Sequence, residues 1–418
     1  MLRAPALLRR DQGQLMARTS AVPVPETQET ILRALHLVLF ALCVANIAWL
    51  VAMYAGGSFL FDSTGRVRPV DFVSFWAAGK LALQGQAAAA YDWAIHQQYQ
   101  NLSVGYEFPG RYNWHNPPTF LFVGAALAVF PFLTALVLWL AVTLTLYLVT
   151  VRWIVGHPIG WLLAAGFPAT LATVAAGQNG FLTASLIGGT LGFMERRPVL
   201  SGICLGLLTY KPQFGLLFPI VLVVAQRWTV FWVAALTGVA FAALSWLVFG
   251  TEAWIAFFDW LPATSKAFLS EGRAELGKQQ SLFAVVRVLG GAEPLAWALQ
   301  AAFAAFVALA VCILWRSKAV FELKAAGLAA GTLLATPYVY LYDSVVLAVA
   351  AAFLLRLWLA VGFRAYELAG LAIGAALMIG FTFWRMPWAF GAYLIVMVIV
   401  FLRAWPALAP SGLRRAAI

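Results

Sequence analysis

This sequence predicts an all-α, polytopic membrane protein of about twelve transmembrane helices, and three observations carry that prediction. Hydrophobic residues make up 63% of the chain and charged residues only 10%, against roughly 25% charged in a soluble domain. Apolar runs recur from residue 34 to residue 402, several of them near the ~20 residues that cross roughly 30 Å of hydrocarbon as helix. Basic residues gather in alternate loops, as they do on the cytoplasmic side of membrane proteins. Helix is the only form open to these runs, because lipid offers no partner to backbone N–H and C=O groups.

The first 33 residues contain Arg3, Arg9, Arg10 and Arg18 but no continuous apolar core of signal-peptide length. They read as a retained cytoplasmic tail, followed by a membrane domain over 34–405 and a second cytoplasmic tail over 406–418. The first apolar run is 34–55, and after it comes a long external segment, 57–116, which is large enough to carry helices of its own. Further runs cover 118–131, 133–151, 160–176, 180–194, 199–210, 214–226 and 229–250. A second long external segment, 251–292, precedes 294–315, 325–337, 344–361, 366–384 and 388–402. Thirteen runs would put the two basic termini on opposite faces, so one of 118–131, 133–151 or 160–176 is expected not to cross. Proline and glycine within 118–131, 160–176 and 199–226 mark broken or tilted helices that line a cavity. Cys43, Cys204 and Cys312 each sit inside an apolar run without CxxC spacing, which argues for packing and against a disulfide framework or zinc site.

Orientation follows from charge. With both termini and the loops holding Arg196, Arg227, Lys318, Lys324, Arg356 and Arg364 inside, that face carries 16 basic and 6 acidic residues, against 10 and 10 outside. The net charge of +11 is thus an effect of topology, and it gives little support to a nucleic-acid partner. The same topology gathers the polar oddities of the chain at the outer ends of spans: Asp71 in RPVDFVSFW, Arg111, His115 and Asn116 in RYNWHNPPTF, Gln178 and Asn179 in AAGQNGF, Lys211 in LTYKPQFG, and Tyr342 and Asp343 in TPYVYLYD. Ionisable groups at membrane depth are costly and by default functional, so Asp71 or Asp343 is expected to face Lys211, Arg111 or His115. Blander readings stand beside this one. Asp71 and Asp343 each precede a helical pattern and suit an N-cap, Arg111 and His115 suit snorkelling at the interface, and Gln178-Asn179 suits a cap between two short helices.

The order of these motifs resembles glycosyltransferase family 87, a GT-C-type membrane family. DFVSFWAAGKLALQGQAAAAYD is similar to its first external loop, and WHNPPTF, AVFPF, AAGQNGF, ERRPVLSGICLGLLTYKPQFG and TPYVYLYD follow in the family's order, from about residue 35 to 345. The resemblance implies a GT-C-like bundle and transfer of a sugar, typically mannose, from a polyprenyl-phosphate carrier to a hydroxyl of a lipid or glycan acceptor. It implies an active site facing the periplasm or cell exterior and a catalytic carboxylate at the position of Asp71, while the high Ala, Leu and Arg content suggests a bacterial inner membrane. TPYVYLYD departs from relatives that carry His in the late motif, which leaves the sugar and the acceptor open.

The residues suit this chemistry independently. A hydroxyl attacking an anomeric carbon needs a general base, and Asp71 is the candidate. A phosphate leaving group is helped by positive charge and fixed donors, for which Lys211 is the first candidate, with Arg111 and His115 as alternates. Asn116, Gln178, Asn179, Tyr342 and Asp343 are candidates for binding sugar or acceptor hydroxyls, and Trp76 and Trp114 for offering ring faces to sugar C–H groups. The first external loop has no DxD-type acidic cluster and the donor has a single phosphate, so no metal or other cofactor is expected, with a divalent cation left open. Interrupted helices with a lysine at depth also suit a transporter or flippase of lipid-linked sugars or other anions. Against that alternative stand the long segment 57–116 and the absence of a convincing internal repeat.

Overall fold

Proline and glycine, rather than polar loops, decide where this apolar chain breaks. The structure is a computed structural model that describes residues 26–110, 112–266, 269 and 276–408. The first 25 residues, Arg111 and residues 409–418 therefore lie outside the described residues, and with them most of both expected tails. Within the described residues the regular structure is helical, apart from isolated bridges such as Gln279 with Tyr340.

α1 (Glu26–Ala55) leads into the segment 57–116, which does carry helices: α2 (Phe72–Leu83) and α3 (Trp93–Val104), joined by a tight turn at Ala87–Tyr91. Asp92 caps α3 by accepting from the amides of Ala94 at 2.9 Å and Ile95 at 3.1 Å. α4 (Leu121–Ala128) has only 8 residues, about 12 Å of helix. It crosses α2 where Gly79 meets Gly124, so closely that a Cβ on Gly79 would stand 2.0 Å from the Gly124 carbonyl oxygen. Both flanks of α4 return to α2: Phe120 meets Phe75 at 5.4 Å, and the Phe130 carbonyl accepts from Trp76 Nε1 at 2.9 Å. The run 118–131 thus packs along α2 at both of its ends.

α5 (Phe132–Val155) runs away from the external segment. α6 (Ile159–Gly166) and α7 (Pro168–Ala176) come back as a pair bent by 56° at Phe167-Pro168, since proline disfavours helix in the residue before it. Next are α8 (Gly180–Phe193), α9 (Pro198–Leu207), α10 (Leu217–Val224) and α11 (Trp228–Ser265), the last kinked at Gly250. α12 (Leu282–Val288), α13 (Glu293–Arg316), α14 (Phe321–Ala335), α15 (Leu347–Val361), α16 (Ala365–Gly380) and α17 (Trp388–Leu408) complete the chain.

Among the described residues, 6 helical segments are long and apolar enough to cross a membrane, or 7 if the bent pair is one span. The sequence predicts about twelve. The difference arises because runs that look continuous are cut into helices of 8 to 14 residues from α6 to α10. Burial separates lipid-facing from central helices: 6% of the apolar window of α1 and 11% of that of α11 are buried, against 72% for Leu341–Val361. Phe40, Ile47, Trp232 and Leu247 consequently point outward, an apolar surface of the kind a bilayer covers. The chain is an integral membrane protein.

Charge pairs mark one end of the bundle. Arg227 meets Glu195 at 3.3 Å, Arg356 meets Glu322 at 3.5 Å, and Arg403 meets the buried Glu367 at 3.2 Å. At the opposite ends of the same helices lie Gln178, Lys211, residues 336–343 and the segment 276–281.

Candidate active site

Short helices bring the polar residues together. α8 has 14 residues and α14 has 15, about 21–23 Å of helix against roughly 30 Å of hydrocarbon. Because their far ends reach the charged face, their near ends stop inside the bundle, and the loops that follow form a polar floor.

Two carboxylates occupy that floor in contrasting settings. Asp343 is 1% exposed; one of its oxygens accepts from Lys211 Nζ at 2.5 Å and the other from the Tyr340 amide at 3.1 Å. Lys211 also donates to Asn179 Oδ1 at 2.7 Å and lies over the rings of Phe214 and Tyr342 at 5.3 and 5.5 Å. Of the pairings that the sequence leaves open, the structure makes this one, and the anion that meets Lys211 is the protein's own. Paired with Asp343, the Lys211 ammonium is enclosed and its charge balanced.

Asp71 is partly accessible. Its Oδ2 accepts from Gln178 Nε2 at 2.9 Å. Although it stands at the N-cap of α2, its side chain caps nothing, so the cap reading does not account for it. Burial pushes its carboxyl above the usual aspartate range, opposed by the Gln178 hydrogen bond and the Lys278 ammonium.

Glycines let these pieces touch. Gly177 adopts φ +67° with Phe72 packed against it, and its carbonyl accepts from Trp139 Nε1 at 3.1 Å. A Cβ on Gly180 would stand 2.3 Å from the Tyr342 carbonyl oxygen. Gly180→Ala is therefore expected to push the Tyr338–Asp343 loop away, costing about 1–3 kcal/mol by overpacking. A thermal-unfolding midpoint in detergent equal to that of wild type would contradict that close approach.

Residues 112–120, YNWHNPPTF, form the adjoining wall. Phe120 stacks on Tyr210, one residue before Lys211, at 4.6 Å, and Tyr210 shares a 2.6 Å hydrogen bond with Thr183. The Asn116 carbonyl accepts from Tyr91 Oη at 2.9 Å, and Asn116 stays partly exposed. Trp114, 1% exposed, is stacked on Phe120 at 5.8 Å and edged by Phe75 at 6.1 Å. Trp76 is 8% exposed and tied to the Phe130 carbonyl. These two indoles, expected to face a sugar, belong to the packing beneath the wall rather than to an open surface. Asn179, 1% exposed, accepts from Lys211. Gln178 and Tyr342 remain partly exposed.

Burial pushes two imidazoles of the first external segment down, His96 to about 4 and His115 to about 3. Burial thus favours the neutral imidazole at both positions. His96 is held by the Ser74 carbonyl at 3.1 Å and Gln100 Nε2 at 2.9 Å. Because the folded state resists protonation, the unfolded chain binds more protons below its ordinary value near 6.5, and stability falls as pH drops from there toward 4. For one such imidazole the loss is about 2 kcal/mol at pH 5. Hydrogen exchange across 87–104, corrected for intrinsic rate, should rise between pH 7 and pH 5; constant protection would contradict a neutral buried His96.

The sequence reading missed Lys278, Gln279 and Gln280. Gln279 bridges to Tyr340, and the Gln280 amide donates to the Val339 carbonyl at 2.7 Å. Gln280 Oε1 also accepts from the Ala389 amide at 2.9 Å, anchoring the segment to α17. An antiparallel pairing of 279 with 340 sets Lys278 opposite Leu341, beside Tyr342. In sequence, GKQQS is an ordinary polar loop, and only the apolar stretch that follows hinted at a return to the membrane.

The sequence model of glycosyltransferase family 87 matches residues 114–337, just over half of the chain. The chain belongs to glycosyltransferase family 87. No curated protein and no solved structure matches it significantly. As a member of this family the protein is a membrane glycosyltransferase. The matched range takes in WHNPPTF, Gln178, Asn179, Lys211 and the Lys278–Gln280 segment, while Asp71, Tyr342 and Asp343 flank it.

Proposed function

We propose that this family 87 enzyme transfers a sugar, with mannose as the first candidate, from a polyprenyl-phosphate donor to a hydroxyl of a lipid or glycan acceptor on the non-cytoplasmic side of a bacterial inner membrane. The observation that carries this reading is the pair of unlike carboxylates: Asp343 sealed by Lys211, and Asp71 only partly exposed, its carboxyl raised by burial and oriented by Gln178. Asp71 accepts the proton of the attacking hydroxyl as the new bond to the anomeric carbon forms. The phosphate departs with the bonding electrons, and Lys278 supplies the positive charge that faces it. Gln178, Tyr342 and Asn116 orient hydroxyls, and the Lys211–Asp343 pair holds the floor rigid. Chain direction between the charged face and the polar floor supports twelve passes, with α4 outside the count. A floor short of the outer surface suits a donor whose phosphate is tethered to a lipid tail.

A donor comparison tests the reading. Purified protein in nanodiscs, given radiolabelled mannose on polyprenyl phosphate, on polyprenyl diphosphate or on a nucleotide, together with total membrane lipid, is expected to move label from polyprenyl phosphate alone. Transfer from the nucleotide sugar would overturn the donor assignment.

A further inference from the structure

α3 has a second face that the transfer site does not use. Its His96 and Gln100 stripe is buried toward α2. On the adjoining flank, Trp93, Gln97 and Asn101 follow at four-residue spacing, with Gln98 beside them and Glu107 and Phe108 closing the far side. Together they line a groove of about 600 Å³, within the roughly 300–1,000 Å³ typical of small-ligand sites.

The lining selects a chemistry. The partly exposed indole of Trp93 provides an apolar face of the kind that packs on the C–H side of a sugar ring. Gln97, Gln98 and Asn101 are amides that both donate and accept, which matches hydroxyl groups that do the same. Asn101 Oδ1 is buried and has no partner, an acceptor of the sort that a ligand hydroxyl satisfies. Phosphates are disfavoured: no lining residue is cationic, Glu107 adds negative charge, and the Asp92 carboxylate already takes the first free amides of the helix.

We propose that this groove is a saccharide-binding subsite that holds sugar units of the acceptor glycan away from the reacting hydroxyl. The proposal rests on the transferase reading, since it assigns the groove to the acceptor of that reaction. His96 contacts Ser74, three residues from Asp71, so the groove lies roughly one helix diameter, about 10 Å, from the element that carries the base. That distance suits a glycan of a few units.

The test presents the full-length protein in nanodiscs to a broad printed glycan array, with Trp93→Ala, Trp93→Phe and Gln97→Leu alongside. Wild type is expected to be captured by a subset of neutral glycans. Trp93→Ala and Gln97→Leu should lose about tenfold or more in affinity, and Trp93→Phe should recover most of it. No capture of wild type, or undiminished capture of both weakened variants, would overturn the subsite. The two readings fail separately: glycan capture without sugar transfer would remove the transferase reading, whereas transfer equally efficient in wild type and Trp93→Ala, for acceptors of every length, would remove the groove.

Discussion

Asp71→Asn enzyme is expected to lose transfer by about a thousandfold or more while staying folded and monodisperse. General-base catalysis typically contributes 10²–10⁴ in rate, and Asn retains the shape of Asp without its basicity. The hydrogen bond from Gln178 survives on the amide oxygen, and no helix cap is lost because Asp71 caps none. Folding is therefore spared where chemistry is not. The pH profile adds a second readout. Only the carboxylate accepts a proton, and burial raises its proton affinity, so kcat/KM of wild type should rise with pH through a midpoint above the usual aspartate value near 4. Loss of folded protein, or a rate that survives the substitution, would take the base role from Asp71.

Lys211→Ala is expected to act in the opposite sense, on the fold first. Its removal leaves the Asp343 carboxylate buried and without its cation, a change that typically costs about 3–5 kcal/mol in a buried pair. The same carboxylate anchors the Tyr340 amide, so the Tyr338–Asp343 loop loosens, and with it the pairing to Gln279 and Gln280. Thermal unfolding followed by size-exclusion chromatography in detergent should show a clear drop in midpoint. Lys211→Met combined with Asp343→Leu should recover much of it, because removing both charges removes the desolvation problem. A Lys211→Ala protein as stable as wild type, with only its donor KM raised, would restore Lys211 to the phosphate.

Much of this site was legible because the chain is so apolar. A lysine between two apolar runs, followed by proline, needs an anion, and Asp343 is that anion. Asp71 and Gln178 both stood out as polar residues at span ends, and they meet. Assigning roles was harder, since sequence cannot distinguish a carboxylate sealed at 1% exposure from one that is partly open. Trp114 and Trp76 read in the sequence as ring faces for a sugar, yet tertiary packing turns both rings inward. Lys278 escaped notice because its place depends on a backbone pairing between segments some sixty residues apart. Helix lengths escaped for a related reason: proline breaks convert a continuous apolar run into two short helices, and the depth of the polar floor follows from those lengths.

In the proposed reaction Asp71 faces the reacting hydroxyl while the donor phosphate lies toward Lys278. A cryo-EM structure of Asp71→Asn enzyme with intact polyprenyl-phosphate mannose in nanodiscs tests it most directly. The sugar is expected above the Gln178–Tyr342 floor, with the residue 71 side chain about 3 Å from the position of the incoming hydroxyl oxygen and the phosphate nearest Lys278. A donor bound away from residue 71, or a phosphate seated on Lys211 with its pair to Asp343 broken, would contradict it.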